Sequence, residues 1–422
     1  MTLQPRQLAR NMFRLGSGEF LARICGIATL LILAHRFGVA VVGVYALALG
    51  VAQYSKPLID FGLQFVGARL MATHPQAANY IVARIQKRRI MMAGIYVPCL
   101  LLYAVSAKLS WDLKAFLFFF AAISALHAVS LDWAAWGKEH LHLVGIARAI
   151  VPATILIFLV IGGKSEHILW WLVLGNAAGN VLQGVIFWLW WRQHKSPEEE
   201  QRVPFAGIRE SLAWRHTSIM GMAWLCNLAF NTIDMLMLGV MSNPHQVGLY
   251  SASYRVMNQV LYTYYLLTQV LYPQLSRQGM EQRARMLRPG ILLSLLGAGA
   301  AIAVALTLSR RPLITLLFGQ GFLAACSLLV LLAWAIPLDF LTSYLSNAYI
   351  AWGMEKKILM CTALAAGGNV VLNLIWIPRY GATAAAVNTL ISYVVLLVGL
   401  AVAGRSAREL APGAQPQPEM VA

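Results

Sequence analysis

The sequence predicts an all-α integral membrane protein of about twelve transmembrane helices, arranged as two six-helix bundles related by a parallel internal repeat. Three observations predict it. The 422 residues are 59% apolar and only 12% charged, whereas a soluble chain carries about a quarter charged residues and splits into several polar-shelled cores at this length. The apolar residues fall into uncharged runs long enough to cross a bilayer, which takes about 20 residues per helix. There are 21 such residues between Arg288 and Arg310, 24 between His167 and Arg192, and 25 between Arg379 and Arg405. Finally, the chain repeats itself. VGVYA (42–46) returns as VGLYS (247–251), 205 residues later, and AWGKE (135–139) returns as AWGME (351–355), 216 residues later.

Taken in order, the runs place spans at 13–35, 38–61, 90–107, 113–133, 143–163 and 168–191, then at 212–238, 246–272, 289–309, 325–351, 358–378 and 381–404. Residues 1–191 form an N-terminal six-helix half. Residues 192–211 are a cytoplasmic linker carrying the solvated run Glu198, Glu199, Glu200. Residues 212–404 form the C-terminal half, and 405–422 a cytoplasmic tail whose Pro-rich end from Ala411 is expected to be disordered. Each repeat falls at corresponding positions of the two halves. Six is even, so both halves insert the same way, with a pseudo-twofold axis along the membrane normal; in transporters so built, substrate sits between the halves and rocking alternates access.

Charge sets the orientation. With the N-terminus inside, the inner segments hold 22 Lys and Arg and the outer connections 7, which places both termini in the cytoplasm. The formal net charge of +17 belongs to this asymmetry and not to nucleic-acid binding. Arg6, Arg10 and Arg14 precede a first span that reads as retained. Cys25, Cys99, Cys226, Cys326 and Cys361 are scattered in or beside apolar runs, as reduced packing residues are. The histidines, His140 and His142 among them, show no metal-ligand spacing. The longest outer connection, 310–324, has no acidic residue or histidine, which weighs against a sugar-polymerising or ligating enzyme.

Polar residues inside the spans are the candidate site, because a charge near mid-bilayer costs at least about 2.5–3.5 kcal/mol and needs a partner or a watery cavity. Arg23 lies in span one, with Glu19 one turn away to pair with it. Arg255, Gln259, Tyr262 and Gln269 follow one helical stripe in span eight, and Arg255 has no acidic residue at three or four positions' distance. Asn227, Asn231 and Asp234 stripe span seven; Asp339, Ser343 and Asn347 stripe span ten after Pro337. Asp234 and Asp339 are candidates to pair with Arg255 or to carry a coupling ion. Lys56 and Asp60 read as a local pair near the cytoplasmic end, and Arg148 as a snorkelling residue. Asn176/Asn180, Asn369/Asn373 and the GxxxG of Gly175/Gly179 read as helix-packing faces. No cofactor or metal site is expected, and coupling to H+ or Na+ is the one ionic requirement the sequence suggests.

Several segments resemble the polysaccharide transporter family, the Wzx-type lipid-linked oligosaccharide flippases of the multidrug/oligosaccharidyl-lipid/polysaccharide (MOP) exporter superfamily. They are FGVAVVGVYALALGVAQYSKPLIDFGLQ (37–64), NTIDMLMLGVMSNPHQVGLYSASYRV (231–256), LFGQGF (317–322), AWGMEKKILM (351–360) and NVVLNLIWIPRYGATAAAV (369–387). The resemblance spans nearly the whole chain and implies a MATE-like fold. It also implies transfer of undecaprenyl-diphosphate-linked glycan across the bacterial inner membrane, for O-antigen, capsule or exopolysaccharide assembly, beside the polymerase and chain-length proteins of such a pathway. It implies a cationic chamber, a role for Arg23 and Arg255, since an arginine fork suits phosphate. A drug/cation antiporter of the same superfamily, a peptidoglycan-precursor flippase (for which the resemblance implies fourteen spans) and a membrane-embedded glycosyltransferase or ligase are the rival readings.

Overall fold

A computed structural model describes residues 5–107, 111–194, 208, 210, 212–276, 288–352 and 354–409. Side chains are not described for 5–15, 112, 113, 115, 216, 265–276, 351 and 405–409. The Glu198–Glu200 run, the chain end from Ala411 and the side chain of Gln269 therefore lie outside the description. The described residues are helical, joined by turns, and divide into two compact units, Met1–Leu225 and Cys226–Ala422.

The first unit opens with α1 (Pro5–Asp60), one helix interrupted at Gly38, whose φ of 77° and ψ of −172° belong to glycine alone. It stops where Phe61 (φ 40°) and Gly62 (φ 84°) turn left-handed. A Cβ on Gly62 would collide with the backbone at Thr217 and Gly221, 2.8 Å from the Gly221 nitrogen, so the turn requires glycine twice over. Then come α2 (Leu63–Thr73), ended by Pro75, and α3 (Ala78–Ser106). The fourth span is broken: α4 (Trp111–Val129) gives way at Ser130–Leu131 to the short α5 (Asp132–Gly137). Helices α6 (Leu141–Gly162) and α7 (Ile168–His194) pack through Gly175 and Gly179, where an added Cβ would sit 2.9 Å from the Ile155 Cα and 2.8 Å from the Val151 Cα. The GxxxG thus does what its spacing predicts. The core of this unit gathers Leu63, Met71, Ile81, Ile85, Trp133 and Phe187.

The second unit takes up the rest of α8 (Trp214–Met241), followed by α9 (Pro244–Ser276) and α10 (Pro289–Phe318). The tenth span is also broken. Helix α11 (Ala325–Ala333) ends before α12 (Ile336–Ala351), whose first turn holds Pro337, a position proline tolerates because its missing N–H would go unused there. Pro337 begins a helix instead of kinking one, and Gly299 of α10 packs against it. Helices α13 (Glu355–Tyr380) and α14 (Ala382–Glu409) are joined by Gly381 at φ 56°.

Ten stretches are long and apolar enough to cross a membrane among the described residues. The first, Gly16–Asp60, has 45 residues and crosses twice once divided at Gly38. Helix α9, with 33 residues, brings the total to twelve. Their outward faces carry exposed apolar side chains such as Leu102, Leu308, Leu316 and Val398, so this is a multi-pass membrane protein. The third span starts earlier than the sequence predicts, at Ala78 and not near 90, because the basic stretch from Arg84 to Arg89 is helical and partly buried. The repeats occupy like settings within their own units. Val42, Tyr45 and Ala46 are buried, as are Val247, Tyr250 and Ser251. Near each AWG segment a helix is closed by a bond spanning five residues, from His140 N to the Ala135 carbonyl and from Met354 N to the Tyr349 carbonyl two residues before the second segment, each 2.9 Å.

Candidate functional site

Burial of charge in an apolar bundle singles out two clusters, one in each unit. In the first, Asp60 and Arg89 form an ion pair whose side chains are each 1% exposed. Arg89 donates from Nε to Asp60 Oδ1 at 2.6 Å and again from Nη2, while Nη1 reaches the Ser130 carbonyl at 2.9 Å. That carbonyl is free because the helix breaks there, and Gln86 donates to it and to the Val129 carbonyl at 3.3 and 3.0 Å. The guanidinium also lies 5.9 Å from the Trp133 ring centroid. Asp60 in turn accepts the Gln64 backbone N–H at 2.8 Å.

These bonds correct the expected pairing of Lys56 with Asp60. Although the two are four residues apart, Lys56 pairs with Asp132 on α5, which also accepts from Ser130 Oγ at 3.0 Å, and Asp60 turns to Arg89. The reason is competition: a bidentate guanidinium on a neighbouring helix outbids a single ammonium on the same one. Arg148 does not snorkel alone but sits 3.4 Å from Glu19, which is also 3.4 Å from Arg23 in the local pair the sequence predicts. Asn176 and Asn180 bond each other, and Asn180 faces His127 at 3.2 Å.

In the second unit Asp234, 2% exposed, accepts only from neutral groups among the described residues: Asn373 Nδ2 at 2.5 Å, Thr389 Oγ1 at 2.7 Å and the Tyr250 hydroxyl at 3.2 Å. Asn373 is held by Asn369 and Asn388, both within 2.8 Å. The Asn369/Asn373 pair is therefore part of a buried carboxylate's shell and more than packing glue. Asp339 stands elsewhere, on α12, with Ser343 Oγ 3.4 Å from both of its oxygens and the Tyr393 hydroxyl bonded to it.

The other stripes are in place as helical faces. Arg255, Gln259 and Tyr262 are half-buried along α9. Asn227 is exposed and Asn231 half-buried on α8, where Asn231 donates to the Asn227 carbonyl at 2.7 Å and offers its own carbonyl to Tyr254 at 2.5 Å. Sequence reasoning missed Arg89, Asp132, Thr389 and Asn388. An aspartate inside the predicted fourth span was the one readable signal. Outside the crossing segments, His140 packs against Trp190 and His194 at 5.2 and 4.8 Å between ring centroids. Burial, then the neighbouring His194, His142 and Lys138, holds its pKa below the ordinary value. No group of three or more His, Cys, Asp and Glu is arranged to hold a metal among the described residues.

The fold has solved counterparts. It is similar to the lipid II flippase MurJ in its inward closed conformation, at 15% identity and a TM-score of 0.75 over 93% of this chain and 87% of that one. It is similar to a MATE-family multidrug resistance transporter of the MOP superfamily in its inward-facing conformation, at 11% identity and a TM-score of 0.66 over 93% and 96%. The multidrug transporter DinF-BH in complex with R6G matches at 13% identity and a TM-score of 0.59 over 96% of each chain. No curated protein sequence matches. A family model described as polysaccharide biosynthesis protein matches residues 8–278. With more than half its length inside that model, the chain belongs to the polysaccharide biosynthesis protein family.

Proposed function

We propose that the protein is a flippase that moves undecaprenyl-diphosphate-linked oligosaccharide across the bacterial inner membrane by alternating access, with both termini in the cytoplasm and glycan assembly as its pathway. The observation that carries this reading is a guanidinium in a membrane-crossing helix of each unit, Arg23 on α1 and Arg255 on α9, in a chain of the polysaccharide biosynthesis family. A diphosphate headgroup needs cations and hydrogen-bond donors to leave water, and arginine supplies both in a planar fork. In the second unit, Gln259 and Tyr262 on α9 and Asn227 and Asn231 on α8 add the amide and hydroxyl chemistry that replaces water around sugars. The flippase for lipid II has the same fold. A drug/cation antiporter would favour an acidic, aromatic chamber over these arginines.

Asp234 supports coupling to a cation. A buried carboxylate bonded only to neutral donors among the described residues is suited to take a proton or hold a cation. Carboxylate, hydroxyl and amide oxygens are the ligands a hard ion such as Na+ prefers. Outward movement of each negative charge gains about 2.3 kcal/mol per 100 mV of inside-negative potential, which adds to any ion gradient. Arg255→Ala abolishes glycan export while leaving the protein level intact; normal export by that variant refutes the assignment.

A further inference from the structure

The break between α4 and α5 opens onto a cavity of about 210 Å³ inside the first unit, walled by α1, α2 and α4 to α7. That is room for about seven water molecules at about 30 Å³ each, or for one pyranose ring with its hydroxyls. Interrupted membrane helices recur at transporter binding sites, and irregular backbone within a bundle is tolerated where it lines a cavity. We propose that this cavity is a subsite for one sugar residue of the transported glycan, an inference that rests on the flippase reading above.

Charge argues against phosphate there. The cations on the wall are engaged: Lys56 by Asp132, and Arg148 by Glu19 at 3.4 Å. What remains is a mixture of donors and acceptors, which suits hydroxyls because each hydroxyl both gives and takes. The Asn180 amide donates to the carbonyl and side-chain oxygens of Asn176 at 2.8 and 2.6 Å, so its own oxygen faces His127 and the imidazole donates from Nε2. A neutral ring that donates from Nε2 keeps Nδ1 as an acceptor. That Nδ1 and the Trp133 Nε1 donor are buried and have no hydrogen-bond partner among the described residues, and both side chains line the cavity. Gln183 gives its amide to the Ala147 carbonyl at 2.8 Å and keeps its oxygen. Trp136 is exposed and set edge-on against Phe65 at 6.3 Å, offering a ring face for the C–H side of a sugar.

The test uses the full chain in lipid nanodiscs and three probes: undecaprenyl diphosphate, and the same lipid carrying one glucose or one N-acetylglucosamine. The wild type binds at least one sugar-bearing probe about tenfold more tightly than the bare lipid, the effect of one or two net hydrogen bonds. His127→Phe and Gln183→Ala each bring that preference to within about twofold, leave affinity for the bare lipid unchanged, and keep the wild-type melting profile. Two results overturn the subsite: equal wild-type affinity for bare and sugar-bearing lipid, as a merely water-filled cavity gives, or a preference that survives in both variants. A wild type that binds none of the three lipids refutes the flippase reading itself, and the subsite with it.

Discussion

Arg89 gives the sharpest test of how this bundle is held. By position it belongs to a basic segment expected at the membrane surface, where a substitution changes stability by no more than about 0.5 kcal/mol. The structure instead buries it against Asp60, the carbonyl at a helix break and the face of Trp133. Arg89→Met keeps most of the stem's volume but strands a carboxylate that is 1% exposed, with the Gln64 N–H as its remaining partner. Removing one member of a buried ion pair costs about 3–5 kcal/mol. The lost cation–π contact adds up to about 2 kcal/mol, and the Gln86 amide that still reaches the Ser130 carbonyl at 3.3 Å limits the loss there. The expected cost is about 4 kcal/mol, read from chemical denaturation of the purified protein in detergent. The double variant Asp60→Asn, Arg89→Met removes the stranded charge and recovers at least half of that cost, because the partners act as a unit. A single-variant loss under about 1 kcal/mol, or strict additivity in the double variant, refutes the argument.

Other expectations follow from the same geometry. Asp234→Asn removes the buried charge but keeps its shape, so ion-dependent thermal stabilisation in a Na+ or pH titration disappears while folding persists; an unchanged ion response counts against Asp234 as the coupling site. Gly62→Ala puts a side chain on a left-handed residue pressed against α8, and loses at least about 1 kcal/mol in the same denaturation assay from the backbone strain alone. For His140 the folded pKa lies below the ordinary 6.5 because burial and neighbouring cations disfavour its charge. As pH falls through about 6.5 the unfolded chain takes the proton first, so stability drops there and levels off below the folded value. His140→Gln flattens that part of a melting-temperature profile between about pH 7 and pH 5.

Run length made the crossings legible, and helical spacing made the polar stripes legible, because both depend on residues near one another in sequence. Gly175/Gly179 and the Glu19–Arg23 pair were readable for the same reason. The partners of Asp60, Lys56 and Asp234 were not. Arg89, Asp132 and Thr389 lie 29, 76 and 155 residues away from them, and only the packing of helices brings them together. The break in the fourth span escaped the sequence, whereas Pro337 marked a helix perturbation in the tenth. Ser130–Leu131 carries no proline or glycine, and the carbonyls of Val129 and Ser130 are capped by side chains from α3 that nothing local announces.

Gly38 has a mechanical meaning. One residue, with two soft torsions and no intervening loop, couples the first crossing to the second, so a twist applied to either rod is handed to the other without slack. Hinges that serve domain motion are a few positions that absorb large torsional change. A lone methyl group here would meet no neighbour within 4 Å, so its whole effect would be strain on that torsion, pushing the junction away from a geometry only glycine adopts and resetting the angle between the two rods.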